Sequence, residues 1–161
     1  VERQGGHPPL SAGLDTDEPT PAAYRPWQAE RVSEPLLIVD AANVVGSVPD
    51  GWWRDRAAAA RRLRDALRPV AGAGLPGLPA PLEVVLVVEG EARGLDSIDA
   101  VRVVAAAGSG DDAIVELVRG ESRARQLVVV TADRGLAERV RRYGAEVLGP
   151  RSIPRRESRA G

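Results

Sequence analysis

The chain has 161 residues, 43% of them apolar, and a net charge of −1, which fits one domain with tails and counts against a strongly basic nucleic-acid surface. There is no Cys, which excludes disulfides, thiolate nucleophiles and cysteine metal sites. No apolar run approaches the length of a membrane span and no signal-peptide pattern is read, so the expected setting is cytoplasmic, with no membrane partner. All 22 basic residues are Arg, whose planar fork pairs with phosphate at two points, although a GC-rich coding sequence gives the same bias.

In chain order, residues 1–34 are rich in Pro, Gly and acid and have no apolar period, so they read as a disordered or extended tail. The one His, His7, falls in this tail, which argues against a histidine base or a Ser-His-Asp triad. From Leu36 the pattern changes. LLIVD is short, continuous and apolar, as a strand buried on both faces of a parallel sheet should be. Asp50 then reads as the N-cap of a helix in which Trp53, Ala57, Ala60, Leu63 and Leu67 share one face. PVAGAGLPGLPAPL reads as a loop. Its GAGLPG matches a dinucleotide-binding pattern by letter but lacks the preceding strand and following helix that the chemistry needs.

EVVLVVEG is a second strand ending at Glu89, and AVRVVAAA a third. The link between them is short for a crossover. GSG breaks the chain, and its loop lacks the lysine of a phosphate-binding loop, so its expected role is to let the chain turn. DDAIVELVRG starts a helix with Ile114, Leu117 and Val118 inward. QLVVVTAD is a fourth strand closing on Asp133. RGLAERVRRYG is a helix with Leu136, Val140 and Tyr143 inward and Gly144 as its C-cap. AEVLG is a short fifth strand, and residues 151–161 read as an Arg-rich tail. Strands alternating with helices predict an α/β domain over residues 35–150: an open parallel sheet of about five strands with helices on both faces.

Parallel strands share one carboxyl edge, and ligands of open α/β sheets bind there. Asp40 ends the first strand, Glu89 ends the second, Asp111 and Asp112 follow the third, and Asp133 ends the fourth. Crowded carboxylates raise one another's pKa until a cation neutralises them. Mg²⁺ or Mn²⁺, which take oxygen ligands, suit such a set. Singly, Asp111 and Asp133 read as helix caps, and Glu89 as a surface residue. Asp40 differs, because no helix is expected to start at once after it. Asn43 and Thr131 are candidates for orienting a ligating carboxylate, or serve a local turn and a strand. Arg54, Arg56, Arg93 and Arg134 are placed near the same edge, where they suit phosphate binding or a solvated helix face. Trp52 is a candidate base stacker and Trp53 a core residue.

DAANVVG, GDDAIVELV and VVVTADRGL, in this order at strand ends, resemble the NYN domains of the PIN-like nuclease superfamily, in particular its YacP-like bacterial branch. The resemblance spans Leu36 to Gly149. It implies a PIN-like parallel sheet with flanking helices and a metal-dependent ribonuclease. Asp40 and Asn43 match the opening Asp-Gly-x-Asn, with Ala41 in place of the usual Gly. Asp111 matches the aspartate three residues before an isoleucine, here Ile114. Asp112 is the frequent acidic neighbour, and Asp133 matches the aspartate of the threonine/serine-x-Asp turn.

The expected activity is metal-dependent endoribonuclease, a hydrolase acting on RNA phosphodiester bonds. Asp40, Asp111 and Asp133 would bind the metal and Asp112 or Glu89 would assist. RNA is the expected partner, with a ribosome or other ribonucleoprotein open as a docking site for the tails. Two alternatives stand: a metal-dependent hydrolase of small nucleotides or phosphate esters, and an RNA-binding module without activity.

Overall fold

A computed structural model describes residues 34–121 and 125–154. The expected N-terminal tail, apart from its last residue, lies outside the described residues. Among them, β1 (Leu36–Asp40), β2 (Glu83–Val88), β3 (Arg102–Ala105), β4 (Leu127–Val130) and β5 (Glu146–Leu148) form a parallel sheet in the order β3-β2-β1-β4-β5. The open parallel α/β sheet expected from the sequence is the one found.

The strand sequences explain why this sheet is covered on both sides. Successive side chains of a strand point to opposite faces, and β1, β2 and β4 are apolar at nearly every position. Leu37, Val39, Leu86, Val88 and Val130 face one layer, built from α1 (Ala41–Gly46), α2 (Arg56–Leu67), α3 (Val70–Ala73) and the apolar residues Leu75, Leu78 and Leu82 that follow. Ile38, Val85, Val87 and Val129 face the other, built from α4 (Gly110–Glu121) and α5 (Arg134–Arg141), through Ile114, Val118, Leu136 and Val140. Each fully buried Val or Leu is worth about 1.5–3 kcal/mol of transfer free energy. The two layers therefore hold the strand ends firmly while the loops beyond them carry polar residues.

Several local expectations change. A helix, α1, starts directly after Asp40, whose side chain caps it. Asp55, not Asp50, caps α2 by accepting from the Ala58 amide at 2.9 Å; Asp50 instead accepts from the Trp52 amide. Since α2 begins only at Arg56, Trp53 lies outside its periodicity, in a 3₁₀ turn over Trp52–Arg54, and is 53% exposed rather than core. The buried face of α2 is Ala59, Ala60, Leu63 and Leu67. Tyr143, beyond the end of α5, is also exposed, at 39%. Val115 joins Ile114 and Val118 on the buried face of α4, and Leu117 is only half-buried.

The stretch expected to be all loop starts with the short helix α3, and a tight turn follows from Gly74. Gly74 has φ +73°, and a Cβ there would stand 2.6 Å from the Leu78 carbonyl oxygen, so glycine is required by close backbone approach. The short β2–β3 crossover works because a 3₁₀ helix, Gly90–Gly94, replaces a full helix, burying Ala92. Ordered packing runs past the expected domain end at residue 150: Ile153 is buried in the first layer. Residues 155–161 of the C-terminal tail lie outside the described residues. Among the described residues, no helix is long and apolar enough to cross a membrane.

Candidate active site

The strand order reverses direction between β1 and β4, and this is where an open α/β sheet splits to admit a ligand. Val39 pairs with Val130, which brings Asp40 level with Thr131. Asp40, 5% exposed, accepts a hydrogen bond from the Thr131 hydroxyl at 3.0 Å through Oδ2 and from the Asn43 amide at 3.4 Å through Oδ1. Thr131 in turn accepts from the Asp133 amide at 3.1 Å, and Asn43 Oδ1 accepts from the Ala132 amide at 2.7 Å. These bonds tie the end of β1 to the end of β4 and fix the Asp40 carboxylate in one orientation. The Thr131 side chain therefore orients Asp40 directly, whereas Asn43 does so only through its backbone amide and uses its side chain to hold the Ala132 turn.

Glu89 follows β2 directly. Its Oε2 accepts from the Gly110 amide at the start of α4, where the positive end of the helix favours a carboxylate. A Cβ on Gly110 would stand 2.6 Å from Glu89 Oε2. Gly110, the second glycine of the GSGDD loop, thus packs directly against the Glu89 carboxylate. Asp133 caps α5 by accepting from the Leu136 amide at 3.0 Å. Asp111 lies in the first turn of α4, and its carboxylate accepts no hydrogen bond among the described residues.

A cleft of about 670 Å³ opens at this edge. Asp40, Asn43, Glu89, Asp111, Asp133, Trp52 and Arg56 line it, so the fold brings together seven of the residues singled out in the sequence. Thr131 lies behind Asp40 and is 2% exposed. Asp112 does not reach the cleft: it turns outward to pair with Arg139 at 2.9 Å. Arg54, Arg93 and Arg134 are exposed and do not line it. Glu91, Ser109 and Ala42 do and were not singled out, and Ala41, the position that departs from the motif, lines it too. Glu91 belongs to the 3₁₀ crossover, whose path no sequence period announces.

The electrostatics follow from crowding without neutralisation. Burial pushes the Asp40 carboxyl up to about 6, against the hydrogen bonds from Thr131 and Asn43, and the charges of Asp111 and Glu89 add to the rise. Asp111 is raised by burial and by Asp133 and Glu89, while Arg139 opposes. The cleft thus holds several carboxylates and one lining cation, Arg56. The all-oxygen donor set suits a hard cation. Among the described residues no three acidic side chains stand close enough to form a ready cage. One or two carboxylates with several waters are the usual protein share of a Mg²⁺ site.

No protein-family model matches this sequence, and no curated protein matches it. Solved structures do. Rae1 (YacP) from Bacillus subtilis superposes with a TM-score of 0.58 at 20% identity, over 73% of this chain and 70% of that one. A tryptophan-to-leucine mutant of the same protein gives 0.59 at 19% identity, over 74% and 72%. The chain shares the fold of Rae1. The YacP-like architecture implied by the strand-end motifs is therefore the one the chain adopts, with its acidic loops at the same sheet edge that those motifs occupy.

Proposed function

We propose that this chain is a metal-dependent endoribonuclease. The observation that carries the reading is the cleft at the β1/β4 split. Asp40, Glu89, Asp111 and Asp133 arrive there from separate strand ends, and burial and mutual repulsion raise the pKa of Asp40 and Asp111. Such an arrangement is costly unless it serves a charged ligand. The resemblance to NYN domains, and the fold shared with Rae1, support RNA as the substrate.

Asp40 and Asp111 would hold the cation together with waters, and Asp133 and Glu89 would add negative charge beside it. When bound, Mg²⁺ or Mn²⁺ supplies Lewis-acid polarisation of a phosphoryl oxygen and charge neutralisation. The chain's own residues do the rest. The Thr131 hydroxyl and the Asn43 backbone amide lock Asp40 in place, so no reorganisation is needed as substrate enters. Arg56 on the wall pairs with a backbone phosphate and sets the strand's register. The acidic floor repels an uncoordinated polyanion, so productive binding depends on the cation.

The test uses the full chain, a labelled structured RNA, and Mg²⁺, Mn²⁺ or EDTA, beside Asp40→Asn and Asp111→Asn. Cleavage should require the metal and fall at least about a hundredfold in both variants. Mn²⁺ should raise the melting temperature of the wild type and not of the variants. Cleavage that persists in EDTA, or variants as active as the wild type, would sink the proposal. The cleft's volume also suits a small nucleotide or phosphate ester. Salt separates the two substrates: RNA cleavage weakens steeply as salt rises, and small-substrate turnover does not. An RNA-binding module without activity would bind RNA as well or better after Asp40→Asn and cleave nothing.

A further inference from the structure

The rim of the cleft carries two adjacent tryptophans. Gly51, at φ +84°, turns the chain sharply, and the following 3₁₀ turn projects Trp52, Trp53 and Arg54 outward. Trp52 is half-buried and lines the cleft. Trp53 is 53% exposed, more than any other large hydrophobic among the described residues. The two rings meet edge to face, with centroids 6.1 Å apart and an interplanar angle of 86°. Trp52 thus props Trp53 from the cleft side.

Each ring has an arginine. The Arg56 guanidinium lies 5.4 Å from the Trp52 ring and Arg54 lies 6.0 Å from the Trp53 ring. Both arginines are exposed, so this stretch is a strip of aromatic faces and positive charge beside an acidic cleft. Trp53 has no part in the core, since the buried face of α2 starts at Ala59. Aromatic faces interleaved with cations are the composition that binds single-stranded nucleic acid: the cations take phosphates and the rings take bases. Paired bases are already stacked and offer no free face along the duplex, so such a surface selects unpaired ones.

We infer that Trp53, with Arg54 beside it, is a stacking platform for an unpaired nucleobase of the RNA strand whose backbone enters the cleft past Arg56. The choice of RNA as the strand rests on the nuclease reading; the platform itself rests on the rim. It is a positioning element. It fixes which nucleotide lies in the cleft and favours single strands over duplex.

The experiment measures binding, apart from cleavage. Wild type, Trp53→Ala and Trp53→Phe are titrated with a short unstructured RNA, with the same RNA carrying one abasic site at each position in turn, and with its blunt duplex. Titrations are run in EDTA, and again in Mg²⁺ on an Asp111→Asn background. Trp53→Ala should weaken single-strand binding about tenfold or more, and Trp53→Phe should stay within about threefold of wild type. One abasic position should weaken the wild type by a similar factor and leave Trp53→Ala unchanged. The duplex should bind weakly and be indifferent to Trp53.

A flat abasic scan in the wild type, or Trp53→Ala binding as tightly as wild type, overturns the platform even if metal-dependent cleavage is seen. Binding that depends on Trp53 in a protein that cleaves nothing supports the platform and defeats the nuclease reading. A wild type that neither binds nor cleaves RNA overturns both, and leaves Trp53 to a protein partner.

Discussion

The two edges of one sheet treat their acids in opposite ways. At the amino edge, Glu83 opens β2 and is met by Arg125 at 2.8 Å and Arg102 at 3.8 Å; Arg125 also reaches Glu121 at 3.1 Å. At the carboxyl edge, Asp40, Glu89 and Asp133 accept hydrogen bonds only from neutral groups, a hydroxyl and backbone amides, and Asp111 accepts none among the described residues. At the carboxyl edge Arg139 pairs with the outward Asp112 and Arg56 lines the cleft, but no arginine forms an ion pair with Asp40, Glu89, Asp111 or Asp133 among the described residues. An acid paired with a cation holds the fold together. An acid kept buried beside other acids strains it, and the strain is retained where a ligand relieves it.

The first way to break this comparison is to remove the strained charge. The Asp40 carboxyl stands at about 6 in the folded chain, against 3.8 ordinarily. The folded state therefore holds a proton that the unfolded state releases, and the stability this lends is full below about pH 4 and lost as pH rises through about 6. Asn does not titrate. In EDTA, the stability of Asp40→Asn relative to wild type should thus climb by up to about 3 kcal/mol between pH 4 and pH 7. Denaturant titrations at the two pH values measure it. A difference that stays constant with pH would mean that Asp40 is not held against its charge.

Removing a paired acid should do the reverse. Glu83→Ala leaves Arg125, whose side chain is only 9% exposed, without its nearest counter-ion. The loss should be about 2 kcal/mol, between the values for exposed and buried pairs. Cleavage per folded molecule should not change. Equal stability in Glu83→Ala and wild type would erase the contrast between the edges.

The same contrast shows what could be read from sequence. The strands were legible because a parallel strand covered on both faces must be apolar throughout, and LLIVD and EVVLVV are. Asp40, Asp133 and Glu89 were legible because strand polarity puts every strand end on one edge. What failed was phase and start point. AANVVG is too short, and too rich in β-branched Val, to show a helical period, so α1 and the capping role of Asp40 were hidden. Trp53 matched the spacing of α2, but the helix starts at Arg56 because Asp55 caps it. Glu91 sits in a 3₁₀ turn that has no period to read.

Asp111 and Asp112 make the finest case, and the smallest expected effect. Adjacent residues on a helix diverge by about 100°, so only one of them can face the cleft, and the letters DD do not say which. The start of α4 at Gly110 settles it. Asp111 faces Asp133 and Glu89, while Asp112 pairs outward with Arg139, with side chains 70% and 42% exposed. Ion pairs this exposed contribute about 0–1 kcal/mol. Asp112→Asn should therefore cost less than about 1 kcal/mol in a denaturant titration and leave cleavage within about twofold, while Asp111→Asn is inactive. A loss of tenfold or more in Asp112→Asn would place its carboxylate in the machinery. The first turn of α4 would then have to rotate when substrate and metal bind, turning Asp112 away from Arg139 and into the cleft.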